Sequence, residues 1–290
     1  MADFLGLDFV WWQGVVEENT DPLKLGRCKV RIAGWHTSEK RLIPTEDLPW
    51  AYPVQPINSA AISGIGISPT GILNGTWVFG FFRDGKDAQQ PMILGTLGGI
   101  PQHDPVEGLG FNDPDLVYPK KDMIGEPDTN RLAVNGATVH PVIATKDASA
   151  DSATAGFNST WQEPKSPYNA TYPQNHVRET ESGHIQEFDD TPGAERIHTY
   201  HKSGTFTEIH PDGSEVHRVV GKNYEIFFSD NNVHVKGKCN LTVDGDANVK
   251  IGGNANLQVD GNHKEVVNGT YEITSLGAMT IIAPTIDLNP

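Results

Sequence analysis

A glycine ruler in the last third of the chain constrains its fold most. Glycine stands at Gly213, Gly221, Gly237, Gly245, Gly253, Gly261, Gly269 and Gly277, at intervals of eight or sixteen, with Ser229 at the position where one is replaced. Between the glycines the residues alternate. From 239 onward the odd positions are mostly apolar, with Leu241, Val243, Val249, Ile251, Leu257, Val259, Val267, Ile273 and Ile281 the branched aliphatic members, while the even positions are mostly Asn, Thr, Asp, Lys, Gln and Glu. A period of two with one wet face is the pattern of extended chain. A glycine every eighth residue divides it into short segments and permits the positive φ that a corner can demand.

A ribbon of short segments with one apolar face cannot bury that face by itself. Three chains wound about one axis would bring the apolar faces together in a narrow triangular prism and pair each backbone edge with another copy. Each octad, ~26 Å long if fully extended, would advance the prism by about one strand spacing, ~4.8 Å, so that 213–290 would build a shaft on the order of 45 Å. Two other objects fit less well. A calcium-binding nonapeptide roll needs a period of nine and Gly-Gly-x-Gly-x-Asp, which is missing, and a single-chain solenoid is the remaining alternative.

Composition supports an interior shared among copies. Of 290 residues, 30 are glycine and 20 proline, and only 37% are hydrophobic, below the roughly 45–50% usual in globular domains. The net charge of −15 argues against binding a phosphate backbone, which needs clustered Lys and Arg. No run of about 18 apolar residues reads as a membrane span. The start, MADFLGLDFVWW, carries Asp3 and Asp8 and does not read as a secretory signal. Cys28 and Cys239 are too far apart in sequence to suggest a disulfide framework or a zinc cluster.

Three zones follow. Residues 1–100 hold short apolar runs around 9–16, 28–32, 77–82 and 92–97, separated by Gly/Pro turns, and suggest a small closed barrel. Residues 101–175, rich in Pro, Asp, Asn and small side chains, read as an extended connector without helical periodicity. Residues 176–290 read as the needle, with its tip at 276–290. The fold class expected is all-β.

The chemistry-bearing residues are weaker signals. Asp113/Asp115 and Asp189/Asp190 are the nearest approach to a carboxylate pair, but all lie in turn-like sequence, and no nucleophile-elbow, zinc-protease or P-loop motif occurs. No catalytic residue and no cofactor is therefore expected. Neither His198/His201 nor His210/His217 falls firmly on one strand face. His263 sits at an inward parity position beside Glu265, so a trimer would gather three imidazoles at the axis, a candidate metal site. Local reversal of 263–265 toward solvent is the alternative. Beyond 275 even positions also turn apolar: Leu276, Ala278, Ile282, Ile286 and Leu288. An apolar end on a rod marks a docking surface for a separate cap protein. Trp11, Trp12 and Trp50 are candidates either for barrel core or for contacts at the opposite end.

The octads, as in Val243-Asp244-Gly245 and Val259-Asp260-Gly261, resemble the Val-x-Gly repeats in the central spikes of contractile phage tails. The T-even phages supply the reference case, and VgrG of type VI secretion is a relative. Gly183–Ile197 and His201-Lys202-Ser203-Gly204 look like the entry to the VgrG needle, and 26–32, 46–51 and 80–85 resemble the spike's OB-fold barrel. The resemblance implies an OB barrel, a connector and an intertwined homotrimeric β-helix. It also implies a baseplate hub protein at the OB end, a PAAR-type tip protein at the other, residence in the virion baseplate, and puncture of the host envelope during sheath contraction without any nucleic-acid ligand. The T-even spike carries a lysozyme domain between barrel and needle, and the connector here is too short and too poor in helical pattern to hold one. A VgrG-like secretion spike and a trimeric adhesin or tailspike are the alternatives.

Overall fold

The computed structural model describes residues 10–135 and 140–287. The chain divides into two units, residues 1–240 and 241–290.

In the first unit, β1 (Val10–Glu18), β2 (Cys28–Ile32), β3 (Trp50–Pro53), β4 (Trp77–Phe82) and β5 (Pro91–Leu97) close into a barrel of order β1-β2-β3-β5-β4. All neighbours are antiparallel except β3 and β5. The alternation along β2 points Cys28, Val30 and Ile32 inward, where they pack with Trp12, Val16, Val78, Phe82 and Ile93. Two exchanges of side chain for backbone make this closure possible. A Cβ on Gly80 would lie 1.8 Å from the Met92 carbonyl oxygen and 2.8 Å from the Trp12 ring, at the point where the β4–β5 register shifts. A Cβ on Gly14 would lie 2.3 Å from the Arg31 oxygen. Arg31, an outward position of β2, is nevertheless fully buried. Its guanidinium binds both Glu17 carboxylate oxygens (2.7 and 2.9 Å) and donates to the carbonyls of Thr37 and Ile43.

The second half of this unit departs from the expected connector. Residues 101–175 contain α1 (Arg131–Val134), α2 (Pro141–Ala148) and a hairpin of β6 (Ser152–Ala155) and β7 (Ser159–Gln162). β8 (Asn175–Glu179), β9 (Ile185–Asp189), β10 (Arg196–Tyr200), β11 (Phe206–Ile209) and β12 (Glu215–Arg218) then form an antiparallel meander. Leu132 of α1 and Ile143 of α2 bury against Ile185, Tyr200, Phe206 and Val216. The helices escape a periodicity reading because they span four and eight residues, too short to display a helical stripe. They are set instead by caps: the side chains of Asn130 and His140 accept from the amides of Leu132 and Val142, and Pro141 occupies the first turn of α2. Residues 175–218 are thus a sheet with a core of their own rather than the first part of a needle. Gly213, counted in the octad series, belongs to the β11–β12 hairpin, with φ 80°.

Candidate functional site: octads and buried charges

The chain bends at 220–221, 228–229, 236–237, 244–245, 252–253, 260–261, 268–269 and 276–277. The interval is eight throughout and continues across 229, where serine replaces glycine. Gly221, Gly237, Gly245, Gly253, Gly261, Gly269 and Gly277 each occupy the second place of a bend. They do so without the positive φ that glycine permits; Gly213 alone in the series has it. A Cβ built on any of these seven meets no atom within 4 Å in the single chain.

Between bends the described residues from 241 to 287 form no strand ladder, and their apolar side chains are uncovered. Exposure follows the octad. Val243, Ile251, Val259 and Val267, each two places before a glycine, are 44–57% exposed, whereas Leu241, Val249 and Leu257, two places earlier, are 80–85% exposed. Ile273 and Ile281 are likewise exposed. At the end of the unit Leu276 and Ile282 are almost wholly exposed, Ile286 about half, and Ala278 is exposed; Leu288 lies outside the described residues. His263 is exposed. Among the described residues no group of three or more His, Cys, Asp or Glu side chains is placed to hold a metal.

The meander carries the opposite chemistry. Its inner face is a closed set of charges that sequence reading missed. The register aligns Glu187, His198 and Glu208 in one cross-strand row. Arg196 bridges the two carboxylates, Nη2 to Glu187 Oε1 (2.6 Å) and Nη1 to Glu208 Oε1 (2.7 Å). Lys146 enters from α2, with Nζ 2.7 Å from Glu208 Oε2 and 3.4 Å from His198 Nε2. His198 Nδ1 lies 2.6 Å from Glu187 Oε2. The contacts define its tautomer: Nδ1–H donates to Glu187 and Nε2 accepts from Lys146. Asn175 Nδ2 and Ser166 Oγ donate to the same two oxygens that Arg196 binds, Glu187 Oε1 and Glu208 Oε1, and His210 Nε2 lies 3.2 Å from Glu208 Oε2. The guanidinium also rests over the Tyr168 ring at 5.1 Å.

Two cations thus face two anions around a neutral imidazole, all buried. Burial alone would raise the Glu208 carboxyl, but Lys146 and Arg196 outweigh it and hold it at about 2. Burial likewise opposes ionisation of Glu187, and the His198 hydrogen bond and Arg196 charge pull it below the ordinary carboxylate value. His198 is pushed down by burial against the pull of Glu187. Because the carboxylates are at most 1% exposed, this cluster ties α2 to the sheet and has no surface on which to meet a substrate.

The residues singled out as carboxylate pairs serve local structure. Asp113 accepts the amides of Asp115 and Val117 at 3.0 and 2.7 Å, and Asp189 that of Thr191 at 3.0 Å. Asp190 is exposed beside His176. Of the histidines, His198 and His210 are buried in the cluster while His201 and His217 are exposed. Trp12 is barrel core, Trp11 is 58% exposed, and Trp50 is half-buried with the Arg27 and Lys29 cations over its ring. Cys28 is buried, which raises its thiol to about 11, and Cys239 is exposed.

Two families align with these parts. The Gp5 N-terminal OB domain matches residues 34–194, more than half of the chain, and the Gp5 C-terminal repeat matches 245–268 in three copies. Protein Gp5 of Vibrio phage KVP40 is 48% identical over 272 residues, covering 82% of this chain and 64% of that protein. The pre-baseplate central spike protein Gp5 of Enterobacteria phage T4 is 47% identical over 131 residues, covering 43% of this chain and 22% of that protein. The chain therefore spans less than two thirds of the length of either relative. The barrel, the octads and these matches together place it in the Gp5 family: it is a Gp5-like phage central spike protein, with an OB domain and C-terminal repeats.

Proposed function

We propose that this chain is a mechanical, non-enzymatic spike that acts as a homotrimer and punctures the host envelope when a contractile tail fires. The uncovered octad face carries this reading. Nine large aliphatic side chains, from Leu241 to Ile281, alternate along an extended chain that has no ladder and no core of its own. Two further copies would supply both. Burying one such side chain is worth about 1.5–3 kcal/mol, the favourable term that offsets the entropy of ordering three chains. A shaft whose backbone hydrogen bonds run along its length resists compression and transmits sheath force to a small area.

In this reading the OB end seats on a baseplate hub protein. The apolar end at Leu276, Ala278, Ile282, Ile286 and Leu288 carries a PAAR-type tip protein. Residues 101–218, connector and meander together, lie between barrel and shaft in the chain, and three copies of His263 would hold an axial ion. No nucleic acid is bound; the charge of −15 suits passage beside DNA without adhesion. Light scattering tests the assembly: a mass of three chains, stable to SDS until heated, is expected, and a single-chain mass of 31.6 kDa overturns it. Removing 276–290 should abolish capture of a co-expressed tip protein; unchanged capture refutes the docking assignment.

A further inference from the structure

From Leu48 to Phe82 the chain holds no Asp, Glu, Lys, Arg or His. This run of 35 residues (48 to 82 inclusive) lies in a protein where one residue in five is charged. Its first and last parts are barrel strands, where neutrality is expected of a core. The middle is not buried. Between β3 and β4 the chain leaves the barrel as a finger on which Ile57, Ile62, Ile65 and Ile67 are 57–106% exposed.

The finger has a defined shape. Ser59 Oγ accepts the Ile67 amide at 2.9 Å and donates to the Ile67 carbonyl at 3.2 Å, closing the loop on itself. The Ile65 amide donates to the Ile62 carbonyl across the tip. Ala61, Ser63 and Gly64 hold φ of 50°, 52° and 76°, and Gly66 holds 113°. At Gly66 a Cβ would lie 2.4 Å from the Ser59 hydroxyl. The base is fixed by Ile72, which packs on the barrel core, and by Pro69, whose carbonyl would clash with any Cβ on Gly26. Left-handed backbone at Ala61 and Ser63 costs on the order of 1–3 kcal/mol per residue, and such strain clusters where it serves a contact. Here its effect is to hold Ile62, Ile65 and Ile67 at the surface.

We infer that the fingers of the three copies meet one another at the three-fold axis, so that the spike is clamped at its OB end as well as along its repeats. The inference rests on the trimer reading. Charge selects the occupant. Each chain carries −15, so two copies meet with the least like-charge repulsion through uncharged surface, and the finger is the exposed part of the longest such run. A partner of different composition would reward complementary basic or acidic side chains on this surface, and it offers none. Contiguous exposed apolar surface of this kind marks a protein contact, and patches of one kind on three identical chains meet one another where they face the three-fold axis.

Cross-linking in the full-length chain tests it. In a Cys239→Ser background, which leaves only the buried Cys28, I65C and separately I62C are treated with a short bis-maleimide. R41C, on an exposed charged side chain, is the control. A two-chain band on a denaturing gel is expected for I65C and I62C, several-fold stronger than for R41C. The inference is overturned if both finger variants give no more two-chain product than R41C in protein whose scattering mass is three chains, or if they cross-link only to added hub protein. The first result leaves the trimer reading intact; a single-chain mass removes both.

Discussion

The meander at 175–218 and the octads at 241–287 invert one another. The meander places its charges inside: Lys146, Glu187, Arg196 and Glu208 are buried, while Phe188, Ile197 and Ile209 on its outer face are more than a third exposed. The octads place acids and amides on even positions and leave their aliphatic side chains uncovered. The difference separates two ways of being finished. The buried charges of the cluster, Lys146, Glu187, Arg196 and Glu208, each have an ion-pair partner within the same chain, because an unpaired one would cost several kcal/mol. The apolar side chains of the octads have no cover among the described residues, and in the proposed reading copies of the chain supply it.

The sharpest way to break this comparison is to charge the octad face. An I251D/V259D double variant would place six carboxylates in the shared interior. We expect loss of SDS-resistant assembly and of three-chain mass, while the near-ultraviolet circular dichroism of the barrel tryptophans persists. Loss of the barrel signal as well would mean that the two units do not fold independently.

The next largest effect lies in the meander. Lys146→Met leaves Glu208 with only one of its two cations and should destabilise the first unit by about 3–5 kcal/mol, measured by chemical denaturation. The three-chain mass should survive in native buffer, since the repeats do not use Lys146.

Acid should act on the same cluster. The folded-state value of Glu208, about 2, is below its ordinary value of 4.5, so its stabilisation is present above 4.5 and is lost as pH falls toward 2. The shift corresponds to about 3 kcal/mol. His198 is also depressed, so its loss begins as pH drops below 6.5 and adds in the same direction. E208Q should flatten the acid limb of a stability–pH curve below 4.5. An unchanged slope would show that the cluster is not what acid attacks.

The smallest effect is expected at a corner. Gly253 lacks positive φ, and a Cβ there meets nothing in its own chain, so Gly253→Ala should move stability by less than about 1 kcal/mol. A large loss in the melting of the assembly would show that neighbouring copies crowd the corner, which would sharpen the reason for glycine at every eighth position.

Different parts of the molecule were legible to different degrees. The barrel could be read because Cys28, Val30 and Ile32 alternate and because 77–82 is nearly all apolar between turns. Arg31 could not, since its burial depends on distant Glu17, Thr37 and Ile43 closing around it. The helices of 131–148 were hidden by their brevity, and the connector reading failed there because only isolated Leu132 and Ile143 dock. The charge cluster was illegible for a different reason. Glu187, His198 and Glu208 are spaced by 11 and 10 residues, and only the register of three strands makes them neighbours. A possible signal was the alternation of Glu187, Arg196, His198 and Glu208 with residues on the opposite face, but charged side chains at such places ordinarily point to water.

The sequence by itself determined the octad period, the parity of its faces and the bends at each eighth residue. Those are local properties, set by side-chain alternation along one extended chain and by glycine at fixed intervals. Only the tertiary structure decided which glycines need left-handed backbone, where the meander ends and the repeats begin, and which charges lie inside. Those depend on pairing between residues far apart in the chain, and hydrophobic periodicity carries no record of a buried charge whose partners arrive from other strands.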